Sequence, residues 1–176
     1  MAKIKLTKNE QKKQKDSLKQ FTRYLPTLQL KKQQLQTVIR QSYAEIEELK
    51  VKQKEAVEGM KSWIAVYGEN SSWSEERSIS HLVKVKEVKK TKGNIAGVEV
   101  PVFQSLVFED VPYDLRVYPL WVDKAIVALG EIARYDALIE TLKERIRLLD
   151  KELRTTTQRV NLFEKVKIPE AKENIR

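Results

Sequence analysis

Apolar side chains recur at alternating steps of three and four residues along most of this chain, and that spacing limits what it can fold into. One series runs Leu18, Phe21, Leu25, Leu28, Lys32, Leu35, Ile39, Ser42, Ile46, Leu49, Gln53, Ala56, Met60, Trp63, Tyr67, and 12 of its 15 positions are apolar. A second runs Tyr118, Trp121, Ala125, Ala128, Ile132, Tyr135, Ile139, Leu142, Ile146, Leu149, Leu153, Thr156, Val160, Phe163, with 13 of 14 apolar. At 41% hydrophobic content, 29 positions taken at random would hold about 12 apolar residues, and these hold 25. A mean step of 3.5 residues keeps one stripe of a helix turned toward a partner helix, which is the signature of a coiled-coil seam. A strand repeats every two residues and cannot use such a stripe.

Glycine and proline place the boundaries, because they interrupt regular backbone. Gly68, Gly93, Gly97, Pro101, Pro112 and Pro119 all fall between residues 68 and 119, whereas residues 1–67 hold only Pro26 and Gly59, and residues 120–176 only Gly130 and Pro169. The expected organisation is one domain in three stretches. A coiled-coil helix covers 1–67, a middle region with a short helix and a β-hairpin covers 68–117, and a second coiled-coil helix covers 118–176. The fold class is mainly α, a long antiparallel two-helix coiled coil formed by the N- and C-terminal helices. At 1.5 Å per residue, helices of roughly 60 residues would each reach about 90 Å. Thr7-Lys8-Asn9-Glu10 has capping-box spacing for the first helix. Pro26 lacks an amide hydrogen, and its ring crowds the preceding turn, so a kink is expected near residues 22–25.

The middle follows a shorter period. Val83 and Val85 alternate with Lys84 and Lys86 as a half-buried strand would, and Val98-Glu99-Val100 alternates again. Between them Lys89-Lys90-Thr91-Lys92-Gly93-Asn94 reads as a hairpin loop longer than the tightest type. Ser72-Trp73-Ser74-Glu75 repeats the capping-box spacing, for a short helix ahead of the hairpin. The module is expected to pack at one end of the shaft.

Catalytic chemistry finds no support. The chain has no cysteine and a single histidine, His81, so neither a disulfide, a thiolate metal site nor a histidine cluster can form. There is no Walker P-loop and no G-x-G-x-x-G. The glutamates fall mostly beside lysines on helix surfaces, where solvated i,i+4 pairs are the plain explanation. His81 reads as a packed or surface residue, and Trp63 and Trp121 read as seam packing. Asn70-Ser71-Ser72 matches the glycosylation sequon, which an intracellular chain would not use. No apolar run approaches the ~18 residues of a membrane span, and Met1-Ala2-Lys3-Ile4-Lys5 lacks a secretory core. A soluble intracellular chain with no cofactor, metal or active site is expected.

Charge points to partners instead. There are 34 basic and 25 acidic side chains, a net +9. Lys3, Lys5, Lys8, Lys12, Lys13 and Lys15 crowd the N-terminus against Glu10 and Asp16, and Lys84, Lys86, Lys89, Lys90 and Lys92 crowd the hairpin against Glu87. A solvated face, an acidic protein partner and nucleic acid all remain open. The helices interleave both signs and show no aromatic-flanked basic platform, which weighs against nucleic acid. At the polar seam positions, the Lys32 stem can snorkel to water, Gln53 can bend to the rim, and Ser42 is small. Val38, Val57 and Ile64 flank the seam, either widening it or meeting a partner.

Two motifs carry a family resemblance. Asn94-Ile95-Ala96-Gly97-Val98-Glu99-Val100-Pro101, with its Gly-Val and closing proline, and Arg159-Val160-Asn161-Leu162-Phe163-Glu164-Lys165-Val166-Lys167-Ile168-Pro169, with its Arg-Val-Asn opening and Ile-Pro ending, are similar to segments of the D subunit of V-type and A-type rotary ATPases. Leu6-Thr7-Lys8 ahead of a Lys- and Leu-rich helix agrees, and the order helix, hairpin, helix covers the chain. The resemblance implies a non-catalytic central-stalk rotor subunit, cytoplasmic and peripheral to the membrane. It would carry torque between the catalytic hexamer of A and B subunits and the ion-translocating ring, coupling ATP hydrolysis or synthesis to proton or sodium transport. The implied partners are the A and B subunits, the small F subunit and a membrane-ring adaptor. On that reading Leu35, Ile39, Ile46, Leu49, Met60, Ile132, Ile139, Leu142, Ile146, Leu149 and Leu153 are the shaft's seam. Lys8, Lys12, Arg154 and Arg159 are candidate rotor–stator contacts, and Val83, Val85, Val98 and Val100 candidate contacts of the hairpin with F. A generic antiparallel coiled-coil scaffold and a basic nucleic-acid-binding protein are the alternatives.

Overall fold

A computed structural model of the chain describes residues 7–68, 79–114, 116–118 and 121–175. In order these form α1 (Lys8–Gly68), a 3-10 turn (Ile79–His81), β1 (Val85–Ile95), β2 (Val98–Phe108), α2 (Val122–Leu162), a π turn (Phe163–Lys167) and α3 (Ile168–Ile175). The expected class is observed: a mainly helical chain with long N- and C-terminal helices and one antiparallel two-stranded hairpin between them.

Local chemistry explains where the helices start and continue. The Thr7 hydroxyl accepts from the Glu10 amide at 3.3 Å, satisfying one of the amides a helix start leaves unpaired. The Glu10 carboxylate meanwhile accepts from the Gln14 side chain at 3.2 Å. α1 stays helical through Pro26. The Thr22 carbonyl one turn back receives no amide from this proline, and the Thr22 hydroxyl donates to Leu18 O at 2.8 Å. Toward the C-terminus Pro169 poses the same problem, and there the backbone widens. The Ile168 amide reaches Phe163 O, and residues 163–167 form a π turn. A widened turn just ahead of the proline eases the clash that a regular α-helix would suffer.

Two compact units divide these elements, and both long helices contribute to each. The terminal unit comprises residues 1–40, 95–98 and 147–176; the middle unit comprises residues 41–94 and 99–146. Within the terminal unit Leu35 and Leu149 are fully buried, joined by Ile39, Thr156, Val160 and Ala171. Lys31 Nζ lies 2.6 Å from Glu152 Oε1, and the rings of Phe21 and Phe163 sit 5.0 Å apart. Moving back along α1 from Lys31 to Phe21 means moving forward from Glu152 to Phe163, so the paired segments are antiparallel.

The middle unit repeats the arrangement. Ser42, Ile46 and Met60 are buried, as are Ile139, Thr141, Leu142 and Ile146, while Leu49, Ile132 and, in the terminal unit, Leu153 are half-buried. Glu45 pairs with Arg145 at 3.9 Å, and the Gln53 side chain donates to Asp136 Oδ1 at 2.6 Å, again in antiparallel sense. Each leucine fully removed from water contributes about 1.5–3 kcal/mol. The polar seam residues resolve individually: Ser42 is buried, Lys32 half-buried, and Gln53 bonds to the opposite helix. A separate small core joins Ile79, Leu82, Val122 and Ala125, with Trp63, Tyr118 and Trp121 packed against it. Trp63 therefore serves packing, and Lys124 Nζ lies 5.4 Å from its ring centre.

The hairpin corrects the sequence expectation. Its turn is the two-residue Ala96-Gly97, with φ of 50° and 81°, the left-handed pair that a tight primed turn demands. Lys89–Asn94, expected as a loop, is the second half of β1. A two-stranded ribbon is all edge, and exposed lysines suit an edge strand. Gly93 is needed for room rather than for turning, because a Cβ there would lie 2.9 Å from Val102 Cγ2. The alternation expected around Val83 is not one of burial, since Val85 is exposed along with Lys84 and Lys86. Only the β2 side has a well-covered residue, Val100. His81 is exposed. The capping box at Ser72–Glu75, the sequon at Asn70–Ser72, Lys3, Lys5, and the side chains of Ile64 and Tyr67 lie outside the described residues.

Candidate interaction surfaces

Lys8, Lys12, Lys15, Lys19 and Arg23 follow steps of four, three, four and four along α1, so they share one helix face, and all five are exposed. Lys15, Lys19 and Arg23 line an open groove of about 500 Å³ together with Leu18, Thr22 and Ile175. Arg154 and Arg159 are exposed in the same unit. Among the described residues none of these seven cations has an ion-pair partner. Like charges one helical turn apart repel each other, so a row of them gains most when an outside acidic surface approaches. The sequence singled out Lys8, Lys12, Arg154 and Arg159. It missed Lys19 and Arg23 as their continuation, although the helical spacing carried the signal.

Charge is sharply divided between the units. The terminal unit holds 19 basic and 7 acidic side chains, a net +12; the middle unit holds 15 and 18, a net −3. The whole-chain value of +9 therefore describes neither.

The part of the hairpin that belongs to the middle unit is fastened by one ion pair and one backbone bond. Lys90 Nζ reaches Glu144 Oε2 at 2.7 Å, tying β1 to α2, and the Glu109 amide donates to Lys84 O at 2.8 Å beyond the strand ends. Of the four valines singled out, Val85 is exposed, Val83 and Val98 are half-buried, and Val100 is only 2% exposed. A cavity of about 280 Å³ is lined by Val102 and Phe103 of β2 and by Leu49, Leu138, Leu142 and Arg145. Arg145 Nε is buried without a hydrogen-bond partner among the described residues.

Two surface groups have shifted acidities. Lys52 is held above its usual value, first by its hydrogen bond to Glu48 and then by that carboxylate's charge. Tyr113 is raised, first because its hydroxyl donates to Asp123 Oδ1 and next because of desolvation. Neither has the surroundings of a catalytic group. The described residues contain no cluster of three or more metal-ligating side chains. None of their helices is long and apolar enough to cross a membrane.

Comparison with known proteins supplies the frame for these surfaces. The family model for the ATP synthase D subunit matches residues 10–176. The chain is 47% identical over 179 residues to the V-type ATP synthase D subunit of Borreliella burgdorferi, covering 100% of this chain and 84% of that protein. It is 34% identical over 173 residues to the V-type ATP synthase D subunit of Chlamydia muridarum, covering 98% and 84%. The chain belongs to the ATP synthase D-subunit family. As a D subunit it is a non-catalytic component of a V-type ATP synthase and works in complex with other subunits. The family likeness of the Asn94–Pro101 and Arg159–Pro169 motifs thus extends over the whole matched range.

Proposed function

We propose that this chain is the central-stalk rotor subunit of its complex. It transmits torque between a catalytic hexamer of A and B subunits and the membrane ion-translocating ring, and so couples ATP hydrolysis or synthesis to proton or sodium movement. Family membership across residues 10–176 carries the reading. The 61-residue continuous helix α1 and the row of cations on the terminal unit, unpaired among the described residues, support it.

The physical logic is one of unequal contact. A hexamer with three catalytic sites is threefold symmetric, and a pair of helices is not. At any angle the pair touches the three sites differently, which shifts their conformational equilibria differently. The coupling is reciprocal: nucleotide-driven change biases the angle, and an imposed angle biases nucleotide affinity. The seam from Leu35 to Met60 and from Ile132 to Leu153 supplies stiffness, since buried apolar contacts resist sliding and twisting. Lys8, Lys12, Arg154 and Arg159 meet acidic loops of the hexamer. Exposed ion pairs are worth about 0–1 kcal/mol each, shallow enough that no single angle becomes a trap.

In this reading residues 1–67 and 118–176 form the shaft, and residues 68–117 engage the small F subunit and the membrane-ring adaptor. Val83, Val85 and Val98 offer the hairpin's apolar contact with F, and Val100 supports them from the buried side. The protein works at the cytoplasmic membrane face, peripheral to the ring. Affinity purification of the tagged chain from cells tests the proposal. The A, B and F subunits are expected to come with it, F at one to one; a chain recovered without any of them would overturn the reading.

A further inference from the structure

The middle unit carries an open groove of about 570 Å³ between the first turns of α2 and the segments flanking the hairpin. Ile126, Val127, Gly130, Glu131 and Arg134 supply one wall at helical spacing, and Leu82, Val83, Phe108 to Val111 and Tyr113 supply the other. Its apolar surface is conspicuously open. Val127 is 71% exposed, although it sits on the same α2 stretch as buried Val122 and Ala125, and Phe108 and Tyr113 are exposed beside it. The walls are braced. Phe108 lies over Gly130, 3.6 Å from where a Cβ would stand. The Glu109 amide is held by Lys84 O, and Tyr113 is fixed by its hydroxyl on Asp123 and by an edge-on contact with Tyr118.

The groove's charge sets it apart. Glu109, Asp110 and Glu131 line it against Arg134 alone, while Asp114 just beyond is paired with Arg116 and Asp123 is held by Tyr113. Within a middle unit of net −3, the trough pairs an exposed apolar floor with a local excess of two carboxylates. An acidic occupant would be repelled by the margin, and a neutral one would leave it unpaired. A helix with apolar residues at i, i+3/i+4 and i+7 and lysine or arginine beside them satisfies both features, burying Val127 and Phe108 while its cations meet the rim. We infer that this groove is the docking site for a basic amphipathic helix of another subunit of the complex.

The inference rests on the chain working within a multi-subunit complex; the torque-transmitting role could fail without affecting it. The full-length chain is titrated against two fluorescent helical peptides with identical leucine stripes, one flanked by lysines and the other by glutamates, with anisotropy as readout. The lysine peptide is expected to bind at least tenfold more tightly. Val127→Asp, at an exposed position that leaves the cores intact, should weaken it at least tenfold. Glu109→Lys with Glu131→Lys should reverse the preference between peptides, while Gln29→Glu at an exposed position of the terminal unit should change nothing. Equal binding of both peptides, or binding indifferent to Val127→Asp, would overturn the inference. So would sedimentation showing that the wild-type chain dimerises and Val127→Asp does not, because the occupant would then be a second copy. Co-purification of the A, B and F subunits with Val127→Asp separates this result from the stalk reading, which stands or falls on that recovery with the wild-type chain.

Discussion

The terminal and middle units are built on the same seam yet carry opposite net charge. Leu35 and Leu149 in one, and Ile46, Leu142 and Ile146 in the other, are buried in the same antiparallel manner. The surfaces around them differ, +12 against −3. Burial specifies the helix pairing in both places and does not distinguish them. Charge distinguishes them without specifying the pairing, because exposed ion pairs contribute little to stability. The two units thus share a scaffold and differ in charge.

The comparison is broken most severely through the seam. Leu149→Ala in the terminal unit and Leu142→Ala in the middle unit should each lower stability by about 2–5 kcal/mol, the range for deleting a buried leucine side chain. Thermal or urea unfolding followed by circular dichroism reads the loss. A large cost in one unit and none in the other would mean the two do not share a device.

Charge should behave the other way. Replacing Lys8, Lys12, Arg154 and Arg159 together by glutamate is expected to leave unfolding within about 0.5 kcal/mol per site. Binding to the catalytic hexamer should weaken by up to about 1 kcal/mol per lost contact, with the wild-type interaction fading as salt is raised. Equal binding by wild type and variant across a salt series would remove the basic face from the account.

A smaller effect belongs to the turn. Ala96 holds a positive φ of 50°, which costs a residue with a Cβ roughly 1 kcal/mol and asparagine less. Ala96→Asn should therefore stabilise the chain by up to about 1 kcal/mol in urea unfolding, and Gly97→Ala should destabilise it.

The smallest effect is confined to high pH. The pKa of Tyr113 is raised from the usual 10.0, chiefly by its hydrogen bond to Asp123. A raised value means that the folded state favours the protonated phenol. The stabilisation is complete below about pH 10 and disappears as pH climbs through the shifted value. Absorbance titration in the near ultraviolet should lose one late-titrating tyrosine in Tyr113→Phe, with stability at neutral pH nearly unchanged apart from the lost hydrogen bond.

How much of this was legible depends on how local the signal was. The seam announced itself because helical periodicity is a local property, and Thr7 caps α1 as its spacing says. The hairpin was legible as two strands but not in its turn: Lys92-Gly93-Asn94 has the denser turn composition, whereas the left-handed bend falls on Ala96-Gly97, where glycine is the sole signal. Gly93 is explained only by Val102 across the ribbon. The widened turn at Phe163–Lys167 follows from Pro169, yet proline alone permits a kink, a break or a widening. The acidic groove joins Val83, Glu109 and Glu131, which no spacing rule connects. Lys31 and Glu152, 121 residues apart in sequence, meet only because the chain pairs its ends.

Under the proposed rotor role this chain must turn within its complex for ATP to be consumed. The chain has no cysteine, so Arg159→Cys places a unique thiol on the terminal unit. In the assembled complex a cleavable photo-crosslinker on that thiol is joined to a catalytic subunit, and ATP hydrolysis is measured before and after cleavage. Activity is expected to fall in proportion to the cross-linked fraction and to return when the linker is cut. Undiminished multiple-turnover hydrolysis with the chain fully cross-linked would contradict it.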